Sequence, residues 1–187
     1  PAEGASLEEL LRIASGQGHR QQCACAILKV MHIINHLAGR ELLFRLPVSD
    51  RDRFHLVELA IKDEVRLRAS NIEFSLPRPS YTVDTLAYLE EKFPTQEFAI
   101  IMGSDSFQNL PRWKNFEQIV KRCPIYVYRR PGHEITDTFG AEVEILDAPM
   151  LDISATEIRK WIREGKSVRY MVPDNVIQYI TENNYYR

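Results

Sequence analysis

The sequence predicts an α/β protein built on a doubly wound, mostly parallel sheet. Two observations carry that expectation. From about residue 50 onward, short apolar runs of strand length alternate with stretches of helical period. The run at 98–102, FAIIM, is continuously apolar, as in a strand covered on both faces at the middle of a parallel sheet. At 187 residues the chain is long enough for one well-buried core, so a single domain over 1–187 is expected.

The elements follow in order. Ser6 and Glu9 have capping-box spacing, with Leu7, Leu10 and Leu11 behind them, which predicts a short helix to about Ala14. Apolar residues Cys23, Ile27, Val30, Ile34 and Leu37 recur at steps of three and four, predicting a longer helix closed near Gly39. His32 and His36 lie one turn apart on it. No third ligand is placed by the sequence, so a solvated face or helix pairing is the simpler reading than a metal site. Residues 42–46 read as a short strand, and Ser49 and Asp50 open a helix with Phe54, Val57 and Ile61 inward. Stretch 71–76, NIEFSL, alternates and is expected to be a strand. A helix follows with Leu86, Leu89 and Phe93 inward, stopped by Pro94.

After the buried run, Gly103 and Asp105 stand where open α/β sheets place ligand contacts; a plain turn is the alternative. Trp113 is read as core or as a platform for a flat ring, ahead of a helix with Phe116, Ile119 and Val120. Strands are expected at 123–128 and 143–146, separated by the basic turn Arg129, Arg130, Pro131, Gly132. Ser154 and Glu157 then form a second capping box. Ile153 and Ile158 are spaced as a hydrophobic staple, and Ile158, Trp161 and Ile162 make one apolar stripe ending near Gly165. Thr156 and Arg159 add a hydroxyl and a guanidinium to the first turn and a half. This start suits a phosphate, although an ordinary capped amphipathic helix has the same features. A final helix near 174–183 turns Val176, Ile177 and Ile180 inward.

Composition narrows the function classes. A formal net charge of -2 gives no general attraction to nucleic acid or to an anionic membrane. No apolar run approaches a membrane span of about 20 residues, and the acidic start lacks a signal-peptide pattern. Cys23, Cys25 and Cys123 are odd in number and have no metal-ligand spacing, so they are read as reduced thiols in a cytoplasmic protein.

Four segments in this order, PSYTVDTL at 79–86, MGSDS at 102–106, RWK at 112–114 and ISATEIR at 153–159, resemble the bacterial nicotinate-nucleotide adenylyltransferases of the nucleotidyltransferase superfamily. The resemblance covers 50–187. It implies a Rossmann-like nucleotidyltransferase fold and transfer of AMP from ATP to nicotinate mononucleotide, giving deamido-NAD and pyrophosphate with magnesium. It further implies that Tyr81 and Thr82 hold the nicotinate end, that Trp113 stacks on the pyridine ring and that Asp84 orients. Gly103 and Asp105 would form the loop at the nucleotide site, with Ser154, Thr156 and Arg159 as the ATP-phosphate helix. ATP and nicotinate mononucleotide are the implied partners, with a homo-oligomer possible and no protein-held metal expected.

Residues 1–49 are atypical. The family opens with a strand, a Gly-x-Phe-x-Pro turn and a His-x-Gly-His motif, whereas GQGH at 16–19 keeps only a Gly-His pair, leaving His19 a weak catalytic candidate. A non-catalytic nucleotide-binding or interaction module that has lost this motif is therefore the second reading. A pantetheine-phosphate adenylyltransferase is a third, against which Trp113 argues.

Overall fold

The computed structural model describes residues 48–64, 67–146 and 154–186. The expectations placed on residues 1–47 lie outside these: the two N-terminal helices, the strand at 42–46, His19, the His32 and His36 pair, Cys23 and Cys25. So does the Ile153 half of the staple. The described chain falls into two compact units, one holding 72–146 and the other 48–64, 67–71 and 154–186.

The first unit contains a three-stranded parallel sheet of β1 (Ile100–Gly103), β2 (Ile125–Tyr128) and β3 (Val143–Leu146), in that spatial order. Ile100 faces Ile125 and Ile125 faces Val143; three residues on, Gly103, Tyr128 and Leu146 form the last row. All four residues of β1 are buried, as its unbroken apolar sequence requires. In β2 burial alternates, with Ile125 and Val127 inward.

Helices α2 (Thr82–Lys92), α3 (Ser104–Gln108) and α4 (Phe116–Arg122) accompany the sheet. Leu86 and Leu89 of α2, Phe107 of α3 and Ile119 of α4 are fully buried with Met102, Leu110, Ile125 and Val127. Phe93, which was expected inward, packs against this core partly buried.

Stretch 71–76 is not a strand. Its centre, Ile72–Ser75, is a single 3-10 turn. The Ser75 hydroxyl donates to the Ile72 carbonyl at 2.7 Å, and the Leu76 amide donates to the Glu73 carbonyl at 3.3 Å. Such local bonds compete with an extended ladder. Glu73 also accepts from the Thr85 hydroxyl at 3.2 Å, fixing the turn to α2. Ile72 packs on the core while Phe74 stays exposed, so the alternating apolar residues never share a face.

The second unit holds α1 (Asp50–Ala60), α5 (Ala155–Arg163) and α6 (Asp174–Glu182). Ser49 caps α1 by accepting from the Asp52 amide at 3.1 Å. On α1, Val57 is buried, with Phe54 and Ile61 half-buried; on α6, Val176 and Ile180 are buried. Asn175 donates to the Leu59 carbonyl at 2.6 Å and the Tyr179 hydroxyl to Asp52 at 3.2 Å, so α1 and α6 are tied at both ends of their contact.

Both ends of α5 are closed. Ser154 accepts from the Glu157 amide at 3.1 Å, which is the first half of the predicted capping box. At the other end Gly165 has φ of 68°, its amide donates to Ile162, and the Lys166 amide donates to Trp161 at 2.8 Å. This is the paired pattern of a Schellman stop, and the left-handed φ explains the glycine. Replacing Ser154 by Ala should lower stability by about 1 kcal/mol, whereas Gly should cost only a few tenths; urea unfolding of the two variants checks it.

Candidate active site

In the first unit the candidate residues Gly103 and Asp105 lie at the carboxyl end of β1, and Tyr81, Thr82 and Asp84 at the start of α2. Strand β1 passes straight into α3 through Gly103, so the sequence GSD forms a strand-to-helix junction rather than a free turn. A Cβ on Gly103 would lie 2.4 Å from Asp105 Oδ1 and 3.2 Å from both Arg130 Cγ and Tyr128 Cζ. With an ordinary φ of -74°, glycine here serves close approach: any larger residue would push the Asp105 carboxylate aside and crowd Arg130 and Tyr128.

Ser104 is fully buried and accepts from the Arg130 amide at 2.9 Å, locking the segment after β2 to the junction after β1. The Arg130 Nε lies 3.8 Å from Asp105 Oδ1. Burial raises the Tyr128 phenol above its ordinary pKa, with the Arg130 charge working against the shift and the Asp105 carboxylate with it.

At the start of α2, Tyr81 is the N-cap residue but makes no side-chain cap. Its carbonyl accepts from the Asp84 amide at 2.9 Å and the Thr85 amide at 3.1 Å. Its ring is left half-exposed under Lys114, whose Nζ stands 4.4 Å from the ring centroid. The same ammonium donates to Asp84 Oδ2 at 3.1 Å. Tyr81 and Asp84 are thus drawn together by a third residue. Thr82 begins the helix half-buried, and Trp113 is half-buried against the core. The indole is packed on the core along one part and accessible along another.

In the second unit Ser154 and Thr156 are exposed at the start of α5, and the Thr156 hydroxyl accepts from Arg159 Nη2 at 3.4 Å. The Arg159 Nε is buried with no hydrogen-bond partner among the described residues. Loss of water lowers the Arg159 pKa, helped by the Arg163 charge and opposed by the Tyr186 phenol. A guanidinium that is partly stripped of water, and whose buried edge meets no carboxylate among the described residues, is suited to gain from an anion.

The Cytidylyltransferase-like family model matches residues 23–161. A Flavobacterium johnsoniae protein named "Probable nicotinate-nucleotide adenylyltransferase" is 41% identical over 143 residues, spanning 75% of this chain and 74% of its own. One of the same name from Cytophaga hutchinsonii is 45% identical over 138 residues, 72% of this chain and 71% of its own. The chain belongs to the nicotinate-nucleotide adenylyltransferase family.

Solved structures agree on the fold. A Plasmodium falciparum nicotinic acid mononucleotide adenylyltransferase complexed with APC aligns with a TM-score of 0.64 at 17% identity, covering 83% of this chain and 89% of its own. The same enzyme complexed with NaAD gives 0.63 at 18%, covering 76% of each chain. The doubly wound, Rossmann-like nucleotidyltransferase fold expected from the four motifs is the fold observed, and membership makes the protein a nucleotidyltransferase. Among the described residues no helix is long and apolar enough to cross a membrane.

Lys114, Ser104 and Arg130 had been assigned no role from sequence. Lys114 stood inside the RWK segment and Arg130 inside the basic turn, so a signal existed for both; their partners are 30 and 26 residues away.

Proposed function

We propose that this protein transfers AMP from ATP to nicotinate mononucleotide, forming deamido-NAD and pyrophosphate in the cytoplasm. A phosphate oxygen of the mononucleotide attacks the α-phosphorus of ATP. A new P–O bond forms as the bond from the α-phosphorus to the bridging oxygen breaks, and pyrophosphate leaves with the electron pair. The nucleophile is already an oxyanion, so no Ser or Cys nucleophile is needed, only in-line positioning and charge neutralisation. Tyr81, Thr82, Asp84 and Trp113 serve the mononucleotide, Gly103 and Asp105 the nucleotide loop, and Ser154, Thr156 and Arg159 the ATP phosphates.

The single observation that carries this reading is the Arg159 guanidinium at the capped start of α5, bonded to Thr156 and carrying a buried, unmatched Nε–H among the described residues. Magnesium would arrive on the ATP triphosphate, where it would supply charge neutralisation.

Pyrophosphate release from ATP, magnesium and nicotinate mononucleotide is the expected result. A folded protein that releases none, yet binds the mononucleotide in calorimetry, would be the non-catalytic module instead. The Trp113→Ala variant should raise KM for the mononucleotide about ten-fold, the size of one lost aromatic stack, and leave KM for ATP nearly unchanged. Steady-state kinetics with each substrate varied in turn checks this.

A further inference from the structure

We infer that Tyr186 is a positioning residue for Arg159: its ring, turned back by the reversal after α6, covers the buried edge of the guanidinium and keeps it aimed at the ATP phosphates. This role deepens the proposed function and rests on the phosphate-binding part given there to Arg159.

The segment after α6 is built to return. The Asn184 amide donates to the Thr181 carbonyl at 3.2 Å and the Tyr185 amide to the Ile180 carbonyl at 3.0 Å. These are the paired bonds of a Schellman stop, with Asn184 in its left-handed position at φ of 54°. Tyr186 is left-handed as well, at 65°. Asparagine enters that region readily, whereas a bulky tyrosine stays there only where its surroundings hold it. The neighbouring rings supply that hold. His55 meets Tyr179 at 4.8 Å between centroids, Tyr179 meets Tyr185 at 6.0 Å and Tyr185 meets Tyr186 at 6.5 Å. The row runs from α1 across α6 to the reversal, and the Tyr179 hydroxyl on Asp52 anchors it.

At the end of the row Tyr186 is half-buried, and its phenol lies within charge range of Arg159 on α5 and of Arg53 on α1. Burial raises the phenol above its ordinary pKa against the pull of both cations, so it stays neutral beside them. Arg53 is paired with Asp50, whereas the Arg159 Nε is buried with no partner among the described residues. A flat ring is suited to cover a guanidinium. A carboxylate in the same place would cancel the charge that ATP is to meet; a neutral ring removes water and leaves the charge whole. A guanidinium held in this way needs little reorganisation when the phosphates arrive.

The test measures pyrophosphate release with ATP or mononucleotide varied, calorimetric ATP binding and, by NMR, hydrogen exchange of the Arg159 Nε–H. The proteins are wild type, Tyr186→Phe, Tyr186→Ala, Arg159→Ala and the double variant Tyr186→Ala with Arg159→Ala. Tyr186→Ala should lower kcat/KM for ATP about ten-fold, as misplacing a positioned group does, and leave KM for the mononucleotide within about two-fold. Tyr186→Phe keeps the ring and should retain most of the activity. In the Arg159→Ala background the loss of Tyr186 should cost less than about two-fold more, because nothing is left for it to position. The Arg159 Nε–H should exchange about ten-fold more slowly in wild type and Tyr186→Phe than in Tyr186→Ala. Equal losses on both substrates, a Phe variant as damaged as the Ala variant, independent losses in the double variant, or equal Nε–H exchange in wild type and Tyr186→Ala overturns the inference. Should Tyr186→Ala fail to fold, a wild-type Arg159 Nε–H that exchanges as fast as that of the exposed Arg163 overturns it instead. A wild type that releases no pyrophosphate overturns the proposed function alone, and ATP affinity with Nε–H exchange still decides the role of Tyr186.

Discussion

Replacing Arg159 by Ala should lower kcat/KM for ATP by about a hundred-fold while leaving mononucleotide affinity within about two-fold. The size follows from removing one fixed donor group from a developing phosphate charge, which typically costs 10² to 10³ in rate. The direction follows from geometry. Arg159 lies one turn beyond a closed N-cap, its Nη2 is held on Thr156, and burial leaves its Nε–H unmatched among the described residues. No water shell needs removing from that edge when an anion arrives. Lys at the same position should recover little, since a point charge cannot reproduce the planar fork. Pyrophosphate release measured with ATP varied, beside calorimetry with the mononucleotide, separates the two effects. Equal losses on both ligands would contradict the assignment.

Phe107→Ala should give the largest loss of stability, about 3–5 kcal/mol. Phe107 is fully buried in α3, and its ring meets Phe139 at 5.6 Å between centroids. The helix has only five residues, so its place depends on this anchor more than on its own hydrogen bonds. Asp105 is carried on the same turn, so the substitution should blunt turnover as well. For a chain of this length the melting temperature should fall by about 10 °C. Phe107→Leu keeps most of the volume and should cost under about 1.5 kcal/mol, which isolates the cavity as the cause. Calorimetric unfolding of both variants is the measurement.

Much of this molecule was legible because its signals are local. The unbroken apolar run before Gly103 could be accommodated by a strand buried on both faces, and Ser154 and Glu157 announced their helix through a spacing of three. Stretch 71–76 was misread because alternation looks the same in a half-buried strand and in a single turn pinned by Ser75. The deciding partner, the Thr85 hydroxyl, lies 12 residues from Glu73. Lys114 and Arg130 escaped assignment for a related reason: what makes each notable is a contact with Asp84 or Ser104 that only the folded chain creates. At Gly103 the close approach expected from the sequence was that of a ligand; the crowding observed comes instead from the side chains of Asp105, Tyr128 and Arg130, which only the folded chain brings together.

Helix α5 behaves as a ruler fixed at both marks. With Ser154 setting its zero and Gly165 its stop, the angular phase of every side chain between them is decided before any ligand arrives. Each residue advances that phase by about 100°. One residue added between Thr156 and Arg159 would swing the guanidinium onto another face of the cylinder, whereas one added beyond Gly165 would leave it aimed as before. Tolerance to length change in this segment is thus divided sharply at the glycine, and the spacing in ISATEIR is as much a part of its chemistry as the residues are.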